Sequence, residues 1–297
     1  MNFKILFRIA VIPVLLAGCG APKVLTSFKN DAATASASGN FDQAVILWQR
    51  FFQKQTSEKK EILPEEYAQA GKAAFGASQP DQAIQWFDQA RFGNYSDPEM
   101  YSALASIYRN KNNLSKELTA LEYLDSSYPG MKDSSSVRNR LFKIYIEAED
   151  PEKALKIWNK LPAASRREES FLDDYFLINS KKGENTVCDS LANLILQVNP
   201  RNLNGLEWNA KKYYWLAENR YNQEMEKYNS NKTTRQYQIL LKELEKVTAD
   251  FKKSLTWFEV LWKIGPAEKY ASYFATIYAR FGNKEKAEYY QSFMKKK

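Results

Sequence analysis

No histidine occurs anywhere in this 297-residue sequence. That removes the commonest general base near neutral pH, and with it every Ser-His or Cys-His nucleophile system. Histidine-containing zinc sites are excluded, and two cysteines cannot build a cysteine-only one. Catalysis by carboxylate, lysine or tyrosine is left open, but adjacent acids such as Glu65-Glu66 and Asp173-Asp174 point in different directions on a helix and make no acid/base pair. Glycine and proline are also scarce, at 11 and 10, and no alternating apolar run of useful length occurs. Both facts argue against a strand-rich protein. Nothing in the sequence asks for a cofactor or a metal. What is present is an ordinary globular balance of 44% hydrophobic and 26% charged residues, with 43 basic against 35 acidic side chains, a formal charge of +8.

The N-terminus reads as an address. Lys4 and Arg8 precede a short apolar run, Ile9 to Leu16, well below the ~20 apolar residues a membrane span needs. The run ends in Leu16-Ala17-Gly18-Cys19, which resembles a bacterial lipobox. The resemblance implies that residues 1–18 are cleaved, that Cys19 becomes the lipidated first residue, and that residues 19–23 form a tether. Stable anchoring follows from about 0.8 kcal/mol for each buried CH₂ of the acyl chains. Gly20 stands where an aspartate would resemble an inner-membrane retention signal, and Gly20-Ala21-Pro22-Lys23 carries no acidic run. The expected location is the outer membrane of a Gram-negative cell, on the periplasmic face, with the cell surface as the alternative. Cys188 is then left without a partner and is expected to be a buried small side chain.

The body repeats. A small or polar turn is followed by a small residue and then by bulky ones four and seven positions on. Gly39-Asn40-Phe41 leads to Ala44, Trp48 and Phe51. Gln79-Pro80 leads to Ala83, Phe87 and Ala90, and Asp150-Pro151 to Ala154, Trp158 and Leu161. Glu117, Cys188 and Ala287 hold the same place after their own turns, so successive spacings are 39, 34, 37, 34 and then 99. Tyr67, Ala70, Gly71 and Ala74, then Tyr101, Leu104, Ala105 and Tyr108, then Leu141, Phe142 and Tyr145, then Leu172, Tyr175 and Phe176 form matching first helices. This pattern resembles the tetratricopeptide repeat (TPR), a 34-residue helix–turn–helix unit. Glu117 and Cys188 depart from its usual alanine. The resemblance implies an all-α, right-handed TPR-like solenoid, with about five hairpins in 24–200 and a final one in 266–297. Asp97-Pro98-Glu99 and Asp150-Pro151-Glu152 mark helix starts, each an N-cap followed by proline and an acid.

Residues 201–265 do not fit a 34-residue unit. Leu203 to Tyr228 and Tyr237 to Ile264 are two long periodic stretches around a polar link, Asn229 to Thr234. They predict one helical hairpin about twice the usual length, its tip beyond the solenoid. Charge concentrates here: residues 201–297 hold 19 basic and 11 acidic residues, whereas 1–200 hold 24 of each. The whole +8 therefore lies in the last third, as do 19 of the 42 aromatic residues. Such asymmetry suits an acidic or glycan ligand. The candidate partner-binding residues are Lys211, Lys212, Arg220, Lys227, Lys232 and Arg235, with Asn139, Arg140 and Lys143 resembling the basic clamp that some TPR proteins use for a peptide carboxylate. Trp208, Trp215, Trp257 and Trp262 are either an aromatic platform or helix-packing residues, and Lys295-Lys296-Lys297 a frayed tail. The layout as a whole resembles TPR lipoproteins of Gram-negative envelopes, among them that of the β-barrel assembly machine and the pilotins of pilus secretins. It implies a non-enzymatic adaptor that holds an envelope protein or peptide in assembly, secretion or maintenance. The alternative is a binding module for an envelope glycan or an anionic lipid head group. Nucleic acid is not expected, because the lipobox removes the chain from the cytoplasm.

Overall fold

A computed structural model describes residues 27–294. The signal segment 1–18, Cys19 with its tether, and Lys295-Lys296-Lys297 lie outside the described residues. Fourteen α-helices follow one another among the described residues: α1 (Phe28–Ala37), α2 (Phe41–Ser57), α3 (Pro64–Gly76), α4 (Pro80–Phe92), α5 (Pro98–Asn110), α6 (Leu114–Ser127), α7 (Ser134–Glu147), α8 (Pro151–Trp158), α9 (Glu169–Lys181), α10 (Asn185–Val198), α11 (Leu203–Ser230), α12 (Thr234–Ile264), α13 (Glu268–Arg280) and α14 (Lys284–Met294). A 3₁₀ turn, Ser165–Arg167, precedes α9, and no strand occurs among the described residues. The fold class is all-α, a TPR-like α-solenoid built of helical hairpins. The chain divides into two compact units, Met1–Ala120 and Leu121–Lys297.

Six of the hairpins are closed by the same local device. One residue per turn is left-handed: Gly39, Ser78, Asn112, Glu149, Gly183 and Gly282, with φ between 53° and 77°. The next N–H then reaches back five residues into the first helix, as from Gln79 to Ala74 O (2.9 Å), Asn113 to Tyr108 O (2.8 Å) and Asp150 to Tyr145 O (2.9 Å). This Schellman-type closure satisfies carbonyls that the helix end would leave unpaired. The following helix starts at once. Asp150 accepts from the Lys153 N–H at 3.0 Å, and Asn113 from the Lys116 N–H at 3.1 Å. Pro80 and Pro151 begin their helices where a missing N–H costs nothing.

The small-residue positions are buried as the pattern requires: Ala44, Ala83, Ala154 and Cys188 have no exposed surface, and Glu117 almost none. In the first unit Gly71 of α3 lies against the Phe87 ring of α4. Phe52 joins consecutive hairpins, with its ring 4.8 Å from Tyr67 and 5.7 Å from Trp86. In the second unit Trp158 of α8 stacks on Tyr175 of α9 at 3.9 Å, and Phe142 stacks on Phe171 at 5.5 Å. Cys188 is a free thiol with its Sγ near Phe176 O. Burial, then the nearby Asp189 and Glu184 charges, push that thiol's pKa up, so it behaves as a small apolar side chain.

Two elements depart from expectation. Helix α8 stops at Trp158, and Leu161 is buried from a turn, not from a helix. Pro162 is the cause, since it disfavours helical backbone at Leu161 and cannot donate. The long hairpin is longer than predicted, with helices of 28 and 31 residues and a link of only Asn231, Lys232 and Thr233. Thr233 Oγ1 accepts from the Gln236 N–H at 3.2 Å, which starts α12 three residues early. At 1.5 Å per residue the two helices run about 42 and about 46 Å.

Candidate protein-binding surfaces

Most of the basic candidates already have partners inside the protein. Lys211 pairs with Glu207 (2.9 Å) and Lys212 with Asp189 (2.7 Å). Arg220 spans the hairpin to Asp250 (2.7 Å) and Glu243 (3.7 Å). Lys227 pairs with Glu224 on its own helix. Lys212 and Arg220 hold α11 to its neighbours, while Lys211 and Lys227 are answered within α11 itself. Lys232 and Arg235 are different: both are exposed at the hairpin tip and make no ion pair among the described residues.

Two of the three clamp residues, Lys143 and Arg140, are also engaged. Lys143 Nζ bonds Asp174 Oδ2 (2.6 Å) and Ser170 O (3.0 Å) and lies 4.4 Å from the centre of the Phe171 ring, which ties α7 to α9. Arg140 reaches Glu147 at 3.1 Å. Asn139 Oδ1 is buried without a hydrogen-bond partner. Of the four tryptophans, three pack. Trp208 donates to Asp189 (2.8 Å) and meets Phe176 edge-on, while Trp257 and Trp262 pack against the core of the last four helices, α11 to α14. Trp215 alone is more than half exposed, at 53%. The four make no common platform.

A cleft that the sequence reading missed lies beside the clamp residues. Its volume is about 470 Å³, within the range of binding sites. Tyr145 and Ile146 lie near the end of α7, the Glu149-Asp150-Pro151 turn forms one lip, and Asp174, Leu177, Ile178 and Lys181 of α9 with its C-cap Lys182 form the other. Three features give it chemistry. Leu177 presents an exposed apolar surface (44%) in the cleft. Lys181 and Lys182 face an acidic turn and have no ion pair among the described residues, and Glu149 has none either. Tyr145 is fixed as a donor, its hydroxyl 2.8 Å from Glu122. Burial first, then that bond and the surrounding acids, push its pKa up, so it stays neutral. The cleft thus offers an apolar floor between a cationic and an anionic lip, which suits a short chain segment with an apolar side chain flanked by charges. One signal was legible: Leu177 is an apolar residue directly after the packing pair Tyr175 and Phe176, out of register with the buried face.

Among the described residues no cluster of His, Cys, Asp or Glu could hold a metal ion, and no helix is long and apolar enough to cross a membrane. No family model and no curated protein matches the sequence. Among solved structures, the chain is similar to a candidate protein-binding protein from Bacteroides ovatus, with a TM-score of 0.50 and 17% identity over 74% of this chain and 99% of that one. The fold is TPR-like. Two further similar structures are YrrB, described as a TPR protein with an unusual peptide-binding site (TM-score 0.44, 12% identity, 62% and 90% covered), and a TPR protein from Parabacteroides merdae (0.42, 13%, 90% and 96%).

Proposed function

We propose that this protein is a non-enzymatic adaptor that binds a protein or peptide segment, and that Cys19 anchors it by lipid to the outer membrane, on the periplasmic face, in the service of envelope assembly, secretion or maintenance. The cleft between the α7–α8 turn and α9 carries the binding part of this reading. Its exposed Leu177, unpaired Lys181 and Lys182, and opposing Glu149 are not needed to hold the repeats together. The absence of histidine supports binding over catalysis. The lipobox residues support the anchor.

The test is a pull-down from envelope extracts under mild crosslinking, followed by affinity measurements on the recovered segment. Leu177→Asp and the pair Lys181→Glu, Lys182→Glu should each weaken binding about tenfold or more. Recovery of no protein partner would sink the adaptor reading, and unchanged affinity in both variants would remove the cleft from it. The anchor has its own test: a fatty-acid analogue should label the wild type and leave Cys19→Ala unlabelled. A second reading, binding of an envelope glycan or an anionic lipid head group, rests on exposed Trp215 with Lys232 and Arg235. Titration with peptidoglycan fragments and lipopolysaccharide decides it, since Lys232→Glu with Arg235→Glu should abolish any such heat.

A further inference from the structure

One apolar stripe runs the length of α12. Tyr237, Leu241, Leu244, Thr248, Phe251, Leu255, Phe258 and Trp262 alternate spacings of four and three, so they share one helix face. Its lower half is covered by the last hairpin. Phe258 lies 4.6 Å from Tyr273 and 5.9 Å from Phe274, Trp262 meets Phe274 and Tyr290, and Phe251 meets Phe281 at the far end of α13. There the cover ends. Arg280 closes it, its guanidinium 3.8 Å from the centre of the Tyr221 ring and paired with Glu218 at 3.0 Å. Beyond that point Met225 and Tyr228 of α11 and Leu244 of α12 are half-buried, while Leu241 and Tyr237 are 39% and 44% exposed. The seat that holds α13 therefore continues for about 17 Å with no further helix on it among the described residues.

The charge at the tip end of this seat is one-sided, while Glu226, Glu243 and Glu245 flank its inner end beside Met225 and Leu244. Residues 227–242 contain four basic and no acidic side chains. Lys227 is answered by Glu224, and Lys232, Arg235 and Lys242 have no ion pair among the described residues. Helix α13 runs antiparallel to α12, with its C-terminus toward the tip. A helix lying in line with it would bring its negative dipole end to those cations.

We infer that the upper α11–α12 face is a docking seat for an amphipathic α-helix of a partner protein, apolar on one side and acidic in its C-terminal turns. The inference rests on the reading of the chain as a protein-binding scaffold and places a second site, separate from the cleft. Continuity with the α13 interface selects a helix, because the same stripe already receives one. A second copy of this chain would bring more cations to the tip and no acid to meet them.

The probe is a helix-stabilised peptide of about 16 residues with leucine and tyrosine at heptad positions and glutamate in its last turns. A control replaces each glutamate by lysine. Fluorescence anisotropy with the lipid-free full-length chain should show the acidic peptide binding at least about tenfold tighter than the control. The exposed-site pair Tyr237→Ser, Leu241→Gln should lose that binding while circular dichroism stays unchanged. The triple change Lys232→Glu, Arg235→Glu, Lys242→Glu should reverse the preference between the peptides. Equal binding of both peptides, or binding untouched by Tyr237→Ser with Leu241→Gln, overturns the inference. So does dimerisation lost in those variants, which assigns the seat to a second copy, or sedimentation with anionic vesicles without peptide binding, which assigns it to a membrane. The cleft variants at Leu177, Lys181 and Lys182 should leave this binding unchanged. Failure here with a functional cleft therefore removes the seat and leaves the adaptor reading in place.

Discussion

At Gly71 of α3 an added methyl would lie 2.5 Å from two carbons of the Phe87 ring, in a part of the first unit where Ala70, Ala74, Ala83 and Ala90 are buried. Gly71→Ala is therefore expected to destabilise the protein by about 1–3 kcal/mol despite the better helix propensity of alanine, which chemical denaturation will measure. A second residue-scale prediction concerns Glu207. Burial works to raise its pKa, but hydrogen bonds from Lys269, Tyr270 and Lys211 outweigh it and bring the value down to about 2 from an ordinary 4.5. Since the folded value is the lower one, the stabilisation is present above pH 4.5 and lost as pH falls toward 2. Glu207→Gln should unfold at lower urea than the wild type near about pH 6, and the difference should narrow by about pH 3. A constant difference would show that the carboxylate charge contributes nothing. The sequence made the identity of the buried small residues legible, because packing position and residue size repeat together. It did not reveal that Lys212 and Arg220 are spoken for, because their acidic partners lie on other helices, whereas Lys211 and Glu207 are one turn apart on the same helix.

Hairpin turns belong to the next scale. Three of the six left-handed positions are glycine and three are not, although all use the same backbone bonds. An L-residue in that conformation costs roughly 1–2 kcal/mol, part of which glycine returns as unfolded-state entropy. Ser78→Gly, at φ 58°, should accordingly stabilise the α3–α4 hairpin by about 0.5–1 kcal/mol, read as a higher Tm. Asn112→Gly should gain less, because asparagine tolerates the left-handed region better. Helix starts were legible from Asp-Pro pairs and capping residues. The end of α8 and the start of α12 were not read correctly, since a polar run such as Ser230 to Thr234 suits a loop and a capped helix end equally well until the hydrogen bonds decide.

For the molecule as a whole, the last hairpin matters as a cover. Removing residues 266–297 would strip α13 and α14 from Phe251, Leu255, Phe258 and Trp262, three of which are aromatic. In a repeat array each unit is stabilised by its neighbour, so the loss falls on the adjoining hairpin first. A chain ending at Gly265 is expected to bind a hydrophobic dye strongly and to unfold over a broader denaturant range than the full chain. A sharp transition with no dye binding would show that the long hairpin stands by itself. The +8 charge belongs to this same region and is the surplus over its 11 acids, so the ion pairs to Glu207, Glu224, Glu243 and Asp250 decide which cations are left over rather than how many, and only the pair to Asp189 draws on an acid from outside it.

The sequence by itself determined the helical repeat, its small-residue register, the position of the long hairpin and the exclusion of histidine chemistry, because each depends only on residue type and local spacing. Tertiary structure alone decided which cations are paired, that Trp208, Trp257 and Trp262 are packing residues while Trp215 is exposed, and that the cleft beside α9 and the upper face of α12 are open. Those properties depend on which neighbour covers a given face and where that cover stops, and helices distant in sequence settle both.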